Sequence, residues 1–493
     1  MIQHKNNRDK NDIFQIPVLS YIFKNQKFLT LIRVIVLALF IFGVYLGFED
    51  TGKENIFTPY LFWGLFWSLF MVATLTTFGR IFCGICPHGF LGKYITKYGL
   101  QKEMPAWLKN PWWGLLLIVI GWWAINYSIP GFYRTPLVTA ILFTVITLLS
   151  FLLYYLYKDM SYCKYVCPIG SLTKAYHRIS FTWLGSYKDD CNACTSFDCA
   201  KACPYNLKPF TFTNKNTMED CSLCMECSSA CDAISFKIVP PGKSLYKKFK
   251  IDKIEVWTYI LITAAITITM GFHHGLGRTN IAEFMPWTQT AEFFKGYINF
   301  GSVDPVGLFS FLYAAFITLT VTFTGMFVAS KVLKADYFKT FYTLGYAFAP
   351  LFIIGGLDHL MHGFFTHTYA DIANGFIYGF GLEIDKVHNL ASRKDAWLGI
   401  FSIFKYIAVA WALFILYKRI NLFEATKKAK AIAFIFASSL IVLYLALILF
   451  RGYAIANYSK NKTGGHIHNS SHKGKMIKSA SQNNTIKIEK KRF

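Results

Sequence analysis

The sequence predicts an all-α, polytopic membrane protein with one small cysteine-rich insertion, and three observations predict it. The 493 residues are 54% hydrophobic, 18% aromatic and only 16% charged, a composition suited to a bilayer rather than to a soluble globule. Nine apolar stretches approach the roughly 20 residues that a helix needs to cross about 30 Å of hydrocarbon. All twelve cysteines lie between positions 83 and 231, ten of them between the fourth and fifth stretches.

The nine stretches, about 28–47, 60–78, 111–130, 138–157, 255–273, 306–328, 345–365, 396–417 and 431–450, order the chain. The first follows a basic lead and is succeeded at once by further spans, so it reads as an anchor rather than a cleaved signal. The expected division is a cytoplasmic N-terminus over 1–27 and a four-helix membrane domain over 28–157. A cytoplasmic segment over 158–254 holds the cysteine-dense core at about 185–240, followed by a five-helix membrane domain over 255–450 and a basic tail over 451–493. The net charge of +24 is dispersed at span ends, as in membrane loops, and predicts no nucleic-acid partner. Lys5, Arg8, Lys10, Lys24 and Lys27 precede the first span; Arg80, Lys93 and Lys97 follow the second; Lys331 and Lys334 follow the sixth; Lys418, Arg419, Lys427, Lys428 and Lys430 follow the eighth. With alternating spans all fall on one side. The positive-inside rule names that side the cytoplasm, which predicts a multi-pass protein of the cytoplasmic (inner) membrane with a periplasmic C-terminus. The basic tail is the exception.

Eight cysteines form two runs, CNACTSFDCAKACP (Cys191, Cys194, Cys199, Cys203) and CSLCMECSSAC (Cys221, Cys224, Cys227, Cys231). A reducing cytosol disfavours disulfides, so ligand roles come first. The second run has the bacterial ferredoxin spacing; the first widens its middle gap to four. A cubane takes three thiolates from one tight loop, and in two-cluster ferredoxins the fourth belongs to the other run. Carried over, one [4Fe-4S] cluster uses Cys191, Cys194, Cys199 and Cys231, and a second uses Cys203, Cys221, Cys224 and Cys227. The competing reading is zinc, which CxxC pairs also bind. The expected fold is therefore about nine transmembrane helices with a cytoplasmic two-[4Fe-4S] ferredoxin-like insertion.

The other four cysteines form a second constellation. GRIFCGICPHGF (Cys83, Cys86) follows the second span and CKYVCPIGSL (Cys163, Cys167) follows the fourth, so both pairs meet one membrane face. They read as a third metal or iron–sulfur centre, as redox-active thiols, or as small buried residues beside Pro-marked helix ends.

In the order of these four motifs, over about residues 60 to 240, the chain resembles the membrane polyferredoxins that include NapH, NosR and CcoG. The resemblance implies membrane-bound electron transfer: NapH- and NosR-like members link quinol oxidation to periplasmic reductases, and CcoG-like members reduce copper during cytochrome oxidase assembly. The first motif departs from the family, being CxxCP where CxxxCP is usual, and five further spans replace the β-rich domain of CcoG.

Those spans carry most histidines. The fifth ends ITMGFHHGLG, with His273 and His274, and the seventh ends GGLDHLMHGFFTH, with Asp358, His359, His362 and His367. Helical spacing puts Asp358, His359 and His362 on one face. Intramembrane ionisable groups usually mark a site. The candidates are a b-type haem held by one His from each span, a copper site, and a quinone or proton site; interhelical hydrogen bonding is the structural alternative. The tail adds His466, His468 and His472 in a low-complexity context, either a weak metal-binding arm or incidental. Trp63, Trp67, Trp112, Trp113, Trp122 and Trp123 read as interfacial belts and packing.

The expected function is electron transfer between a quinol or cytoplasmic donor and a membrane or periplasmic acceptor, with redox proteins or quinone as partners. The alternatives are a cupric reductase or oxidase-assembly factor with copper or oxidase-assembly partners, and a non-enzymatic redox sensor.

Overall fold

The computed structural model describes residues 8–192 and 194–459; Lys5, His466, His468 and His472 lie outside the described residues. Among the described residues eight helices are long and apolar enough to span a bilayer, and the chain is a multi-pass membrane protein. Named with the shorter third one, they are α1 (Gln26–Glu49), α2 (Phe57–Phe78), α3 (Trp112–Ser128), α4 (Pro136–Leu156), α5 (Lys253–Arg278), α6 (Pro305–Val332), α7 (Tyr337–Gly379), α8 (Ala396–Ile420) and α9 (Ser439–Tyr458).

Three of these differ from the expected stretches for local reasons. At about 1.5 Å per residue, α3 is about 25 Å long, short of the roughly 30 Å hydrocarbon core. Pro111 precedes it, and at its end Ile129 leaves helical geometry before Pro130 and a left-handed Gly131 (φ 80°). The seventh helix runs beyond 345–365 in both directions because its continuation carries His367 and Asp371, which hydropathy discounts; a turn at 354–356 interrupts it. The ninth is displaced. Helix Lys427–Ala437 stops at Ser438, and α9 starts afresh beyond it.

The two membrane halves pack into one core. Segment Tyr369–Gly379 of α7 lies on Tyr60–Phe66 of α2, and Thr263–Ile268 of α5 lies on Val119–Ala124 of α3. Phe70, Leu115 and Tyr127 of the first half are buried with Ile260, Phe311 and Leu440 of the second. At one end of this bundle the insertion is closed by strands β1 (Thr182–Ser186) and β2 (Ile234–Ile238). They pair antiparallel with Thr182 opposite Ile238 and Ser186 opposite Ile234, so one hydrogen-bonded ladder brackets both cysteine runs. Asp12 accepts from the backbone N–H of Phe236 at 3.0 Å, and Ile13 and Leu29 join Leu184, Cys199, Cys221, Cys227 and Phe236 in a second core.

One buried ion pair fastens the insertion to the second half. Arg178 Nε donates to Glu255 Oε2 at 2.6 Å with both side chains 0% exposed. The Tyr346 hydroxyl donates to the same oxygen at 2.6 Å, and Arg178 Nη1 reaches Asn216 Oδ1 at 2.8 Å. Removing one partner of such a pair strands a charge, which costs about 3–5 kcal/mol, whereas apolar replacement of both is often tolerated. Arg178→Ala is therefore expected to destabilise by about that amount, read as a lowered melting temperature in detergent. The double variant Arg178→Met with Glu255→Leu recovers much of the loss; equal melting for wild type and Arg178→Ala contradicts the fastening role.

Candidate metal centres

The insertion sorts its eight thiols across the two runs. Cys203, Cys221, Cys224 and Cys227 line one small pocket, while Cys199 stands within electrostatic reach of Cys231, Cys191 and Cys194. Each run thus lends its last cysteine to the other's group. The local backbone is bent to serve the sulfurs: Phe197 (φ 50°), Leu223 (φ 55°) and Met225 (φ 62°) are left-handed, a conformation bulky residues adopt at a cost of order 1–3 kcal/mol and mostly at functional sites. Those bends aim backbone N–H groups of Phe197 at Cys194, Leu223 at Cys221 and Glu226 at Cys224.

The remaining four cysteines meet at the membrane edge. Cys86 and Cys167 each cap a helix, Pro87–Tyr98 and Pro168–Tyr176, with matching backbone angles (φ −60°, ψ 132° and φ −62°, ψ 119°) and proline at the first helical position. At the second, the Gly170 N–H donates back to the capping Cys167 Sγ at 3.3 Å. A sulfur here plays the part a Ser or Asp oxygen usually takes at a helix start. Cys83 lies 3.5 Å from Thr173 Oγ1 and Cys163 2.8 Å from the Tyr154 hydroxyl. All four thiols line a single cavity of about 150 Å³.

The rest of that cavity is aromatic. Trp63 of α2 and Trp122 and Trp123 of α3 reach it from π-helical turns, with Trp67, Phe66 and Phe143 beside them. Four of the six tryptophans expected in interfacial belts therefore wall an internal site; hydropathy cannot distinguish the two positions. The Thr147 hydroxyl donates to Phe143 O at 2.6 Å, so His88 Nε2–H donates to Thr147 Oγ1 at 2.7 Å. That tautomer turns the acceptor nitrogen Nδ1 toward Cys86 Sγ, 3.9 Å away. Burial pushes His88 down to about 4, keeping it neutral.

The two cysteine regions touch. A Cβ on Gly84, between Cys83 and Cys86, would stand 2.6 Å from Leu223 O and 3.3 Å from Cys224 Cα, so only glycine permits this approach. Arg33 of α1, 2% exposed, spans the same junction. It donates through Nε to Gly84 O at 3.0 Å, through Nη2 to Cys224 O at 2.6 Å, and through Nη1 to Glu226 Oε1 at 3.1 Å. Neither residue carries a motif signal; a lone Arg inside an apolar first span was the available clue.

The donor sets fit iron–sulfur clusters. They are all thiol, the backbone supplies N–H groups to the sulfurs, and the buried Nε of Arg80 has no protein partner although the side chain stands near both Cys83 and Cys221, a cation placed for anionic clusters. Among the described residues no three His, Cys, Asp or Glu are disposed around a single metal ion, whereas a cubane holds its thiolates further apart. Bound there, a cluster supplies one-electron chemistry at a potential set by burial and N–H···S bonds.

The histidines are not gathered into one such site. His273 Nε2 pairs with Asp304 Oδ2 at 3.1 Å, and the rings of His273 and His274 lie against Tyr127, each 5.8 Å from it. His359 lines a separate cavity, where Asp358 is engaged by Lys405 at 2.5 Å. His362 is not among that cavity's lining residues, and His367 faces Asp371 at 3.6 Å. Sequence reading missed Lys405.

Comparison with known proteins locates the family signal. The family described as 4Fe-4S binding domain matches residues 60–110 and 139–185, so each matched stretch contains one CP-terminated pair, and neither reaches Cys191. Two uncharacterized proteins of Methanocaldococcus jannaschii are similar, one 27% identical over 215 residues (40% of this chain, 81% of the relative) and one 28% identical over 189 (34% and 77%). The putative electron transport protein YccM of Escherichia coli K12 is 25% identical over 180 residues, 32% of this chain and 50% of the relative. No solved structure matches.

Thiol environments make a chemical prediction. Burial pushes Cys221 and Cys86 up to about 12 and Cys199 and Cys224 up to about 11, while the Phe197 N–H holds Cys194 below its ordinary value. After chelator stripping at pH 8, iodoacetamide is expected to label Cys194 before Cys86 and Cys221, because the thiolate is the nucleophile. Peptide mass spectrometry reads the order; preferential early labelling of Cys86 overturns the site description.

Proposed function

We propose that this membrane polyferredoxin-like chain, which carries the 4Fe-4S binding domain, is an electron-transfer protein holding three clusters, two in the insertion and one on Cys83, Cys86, Cys163 and Cys167. The observation that carries the reading is the direct contact between the Gly84 loop and the Leu223–Cys224 loop, which places the membrane-edge quartet against the nearer insertion quartet. Cys199 and Cys227 are in turn electrostatic neighbours, so the three quartets form one series. Its donor at the membrane end is a quinol, which approaches from the bilayer against the aromatic wall of Trp63, Trp67 and Trp122 that separates it from the thiols. The insertion faces the cytoplasm, as the basic loops at that end direct, and a soluble redox protein exchanges electrons with the partly exposed Cys191–Cys194 end.

Three cubanes require about twelve iron atoms per chain. Replacing Cys83 and Cys163 together by Ser is expected to lower iron to about eight, the content of two cubanes, with the insertion's paramagnetic resonance signals retained. A wild-type content of about eight that these changes leave alone refutes the membrane-edge cluster. Cys231→Ser is expected to perturb the signal shared with Cys191, Cys194 and Cys199, and not the other.

Gly84→Ala prises the two loops apart. Reduction of the insertion clusters by a soluble menaquinol analogue is expected to slow about tenfold, roughly 1.4 kcal/mol in barrier, with iron content unchanged. Stopped-flow absorbance measures it, and an unaltered rate counts against the Gly84 contact as the route.

A further inference from the structure

The second membrane half holds a charged cavity that the electron-transfer reading does not use. It lies at the end of the bundle opposite the thiols, among α5, α7, α8 and α9, and has a volume of about 250 Å³. The turn at 354–356 interrupts α7 beside it, so Gly355 and Gly356 form part of its wall. Irregular backbone at membrane depth is tolerated where it lines such a space.

The charge balance is uneven. Lys405 and Arg451 face a single carboxylate, Asp358, and Asp358 Oδ2 is already held by Lys405 at 2.5 Å, the two side chains being 17% and 16% exposed. The Arg451 side chain has no ion pair or hydrogen bond among the described residues, although it stands within electrostatic reach of Lys405, Tyr444 and His359. Its stem is fixed, since a Cβ on Gly275 would stand 2.8 Å from Arg451 Cδ, and Arg278 and Arg393 stand near enough to add positive potential. The other walls are largely apolar, including Ile266, Phe352, Leu447 and Ile448. An unpaired guanidinium among apolar side chains in a bilayer is costly unless something answers its charge.

We propose that this cavity binds an oxyanion, a phosphate-type group received by Arg451, with the Tyr444 hydroxyl and accessible His359 lining the same space. Guanidinium is the side chain best matched to such a group because its forked N–H donors meet two oxygens at once. The volume decides the size class: it falls below the roughly 300–1,000 Å³ of pockets for drug-sized ligands and far exceeds the roughly 30 Å³ share of one water. It accommodates a small hydrated oxyanion or the phosphodiester of one lipid headgroup.

The test uses the full-length, cluster-loaded protein. Melting temperature is followed against sodium phosphate, with sodium chloride at matched ionic strength as control, and native mass spectrometry is run on protein from nanodiscs of phosphatidylglycerol or of phosphatidylcholine. A saturable phosphate-specific rise identifies a free oxyanion, and retention of phosphatidylglycerol over phosphatidylcholine without that rise identifies a lipid phosphodiester whose negative charge no choline neutralises; either supports the site. Arg451→Gln is expected to weaken the responding probe at least about tenfold and Arg451→Lys to restore part of it, with iron content unchanged in both. Absence of both responses in the wild type overturns the proposal, as does full binding in Arg451→Gln. Should that variant not fold, the wild-type comparison of phosphate with chloride and of the two lipids decides alone.

Discussion

A buried guanidinium on the first membrane helix holds the redox end of this molecule together. Arg33 answers two cysteine loops that are about 140 residues apart in sequence, meeting Gly84 O, Cys224 O and Glu226 directly. Glu226 also takes Lys93 Nζ at 2.6 Å, so helix Pro87–Tyr98 is tied to the same carboxylate. A buried charge is tolerated only when its donors are engaged; beside these three partners, Nη1 also reaches Gln26 Oε1 on the same helix at 3.3 Å. The insertion thereby has a fixed seat on the membrane bundle, and Gly84 lets the seat close to backbone contact.

The membrane-edge quartet has an internal logic of its own. Cys86-Pro87-His88-Gly89 and Cys167-Pro168-Ile169-Gly170 start their helices alike, with a cysteine at the cap in matching backbone geometry and a proline whose missing N–H costs nothing at the first helical position; the second copy adds a glycine N–H returned to its sulfur. Two spans that end on one face bring the two copies together. The repeated object explains why both stretches match one 4Fe-4S binding family although their cysteine spacings differ. The helix start, rather than the gap to the preceding cysteine, positions the closing thiol.

Legibility in the sequence followed the physics of each element. Long lipid-facing helices such as α1 and α4 were plain because bilayer thickness fixes their length and composition, and the dense cysteine runs were plain because chelation fixes their spacing. What stayed hidden depends on tertiary partners. The extent of α7 was masked by charged and histidine residues that face protein instead of lipid, and α3 was overcounted because hydropathy ignores the breaks at Pro111 and Ile129. The tryptophans were read as interfacial belts and packing and the cavity they wall was not foreseen, since a tryptophan facing a cavity and one facing an interface have the same neighbours in sequence. Arg33, Arg80 and Lys405 escaped notice as single charges, whose meaning lies wholly in what folds against them.

On the proposed reading of three clusters, the surroundings of each quartet bear on how readily it would take an electron. Cys194 is partly exposed, whereas Cys221 and Cys227 are buried, and Cys86 and Cys167 face an apolar, aromatic chamber. Withdrawal from water penalises added negative charge, so burial alone makes an electron hardest to hold at the membrane edge. Arg80, set beside Cys83 and Cys221 with one donor unspent, offsets that penalty where it is greatest. On that reading the balance between chamber and guanidinium, more than the identity of the ligands, would set the direction in which electrons run along the series.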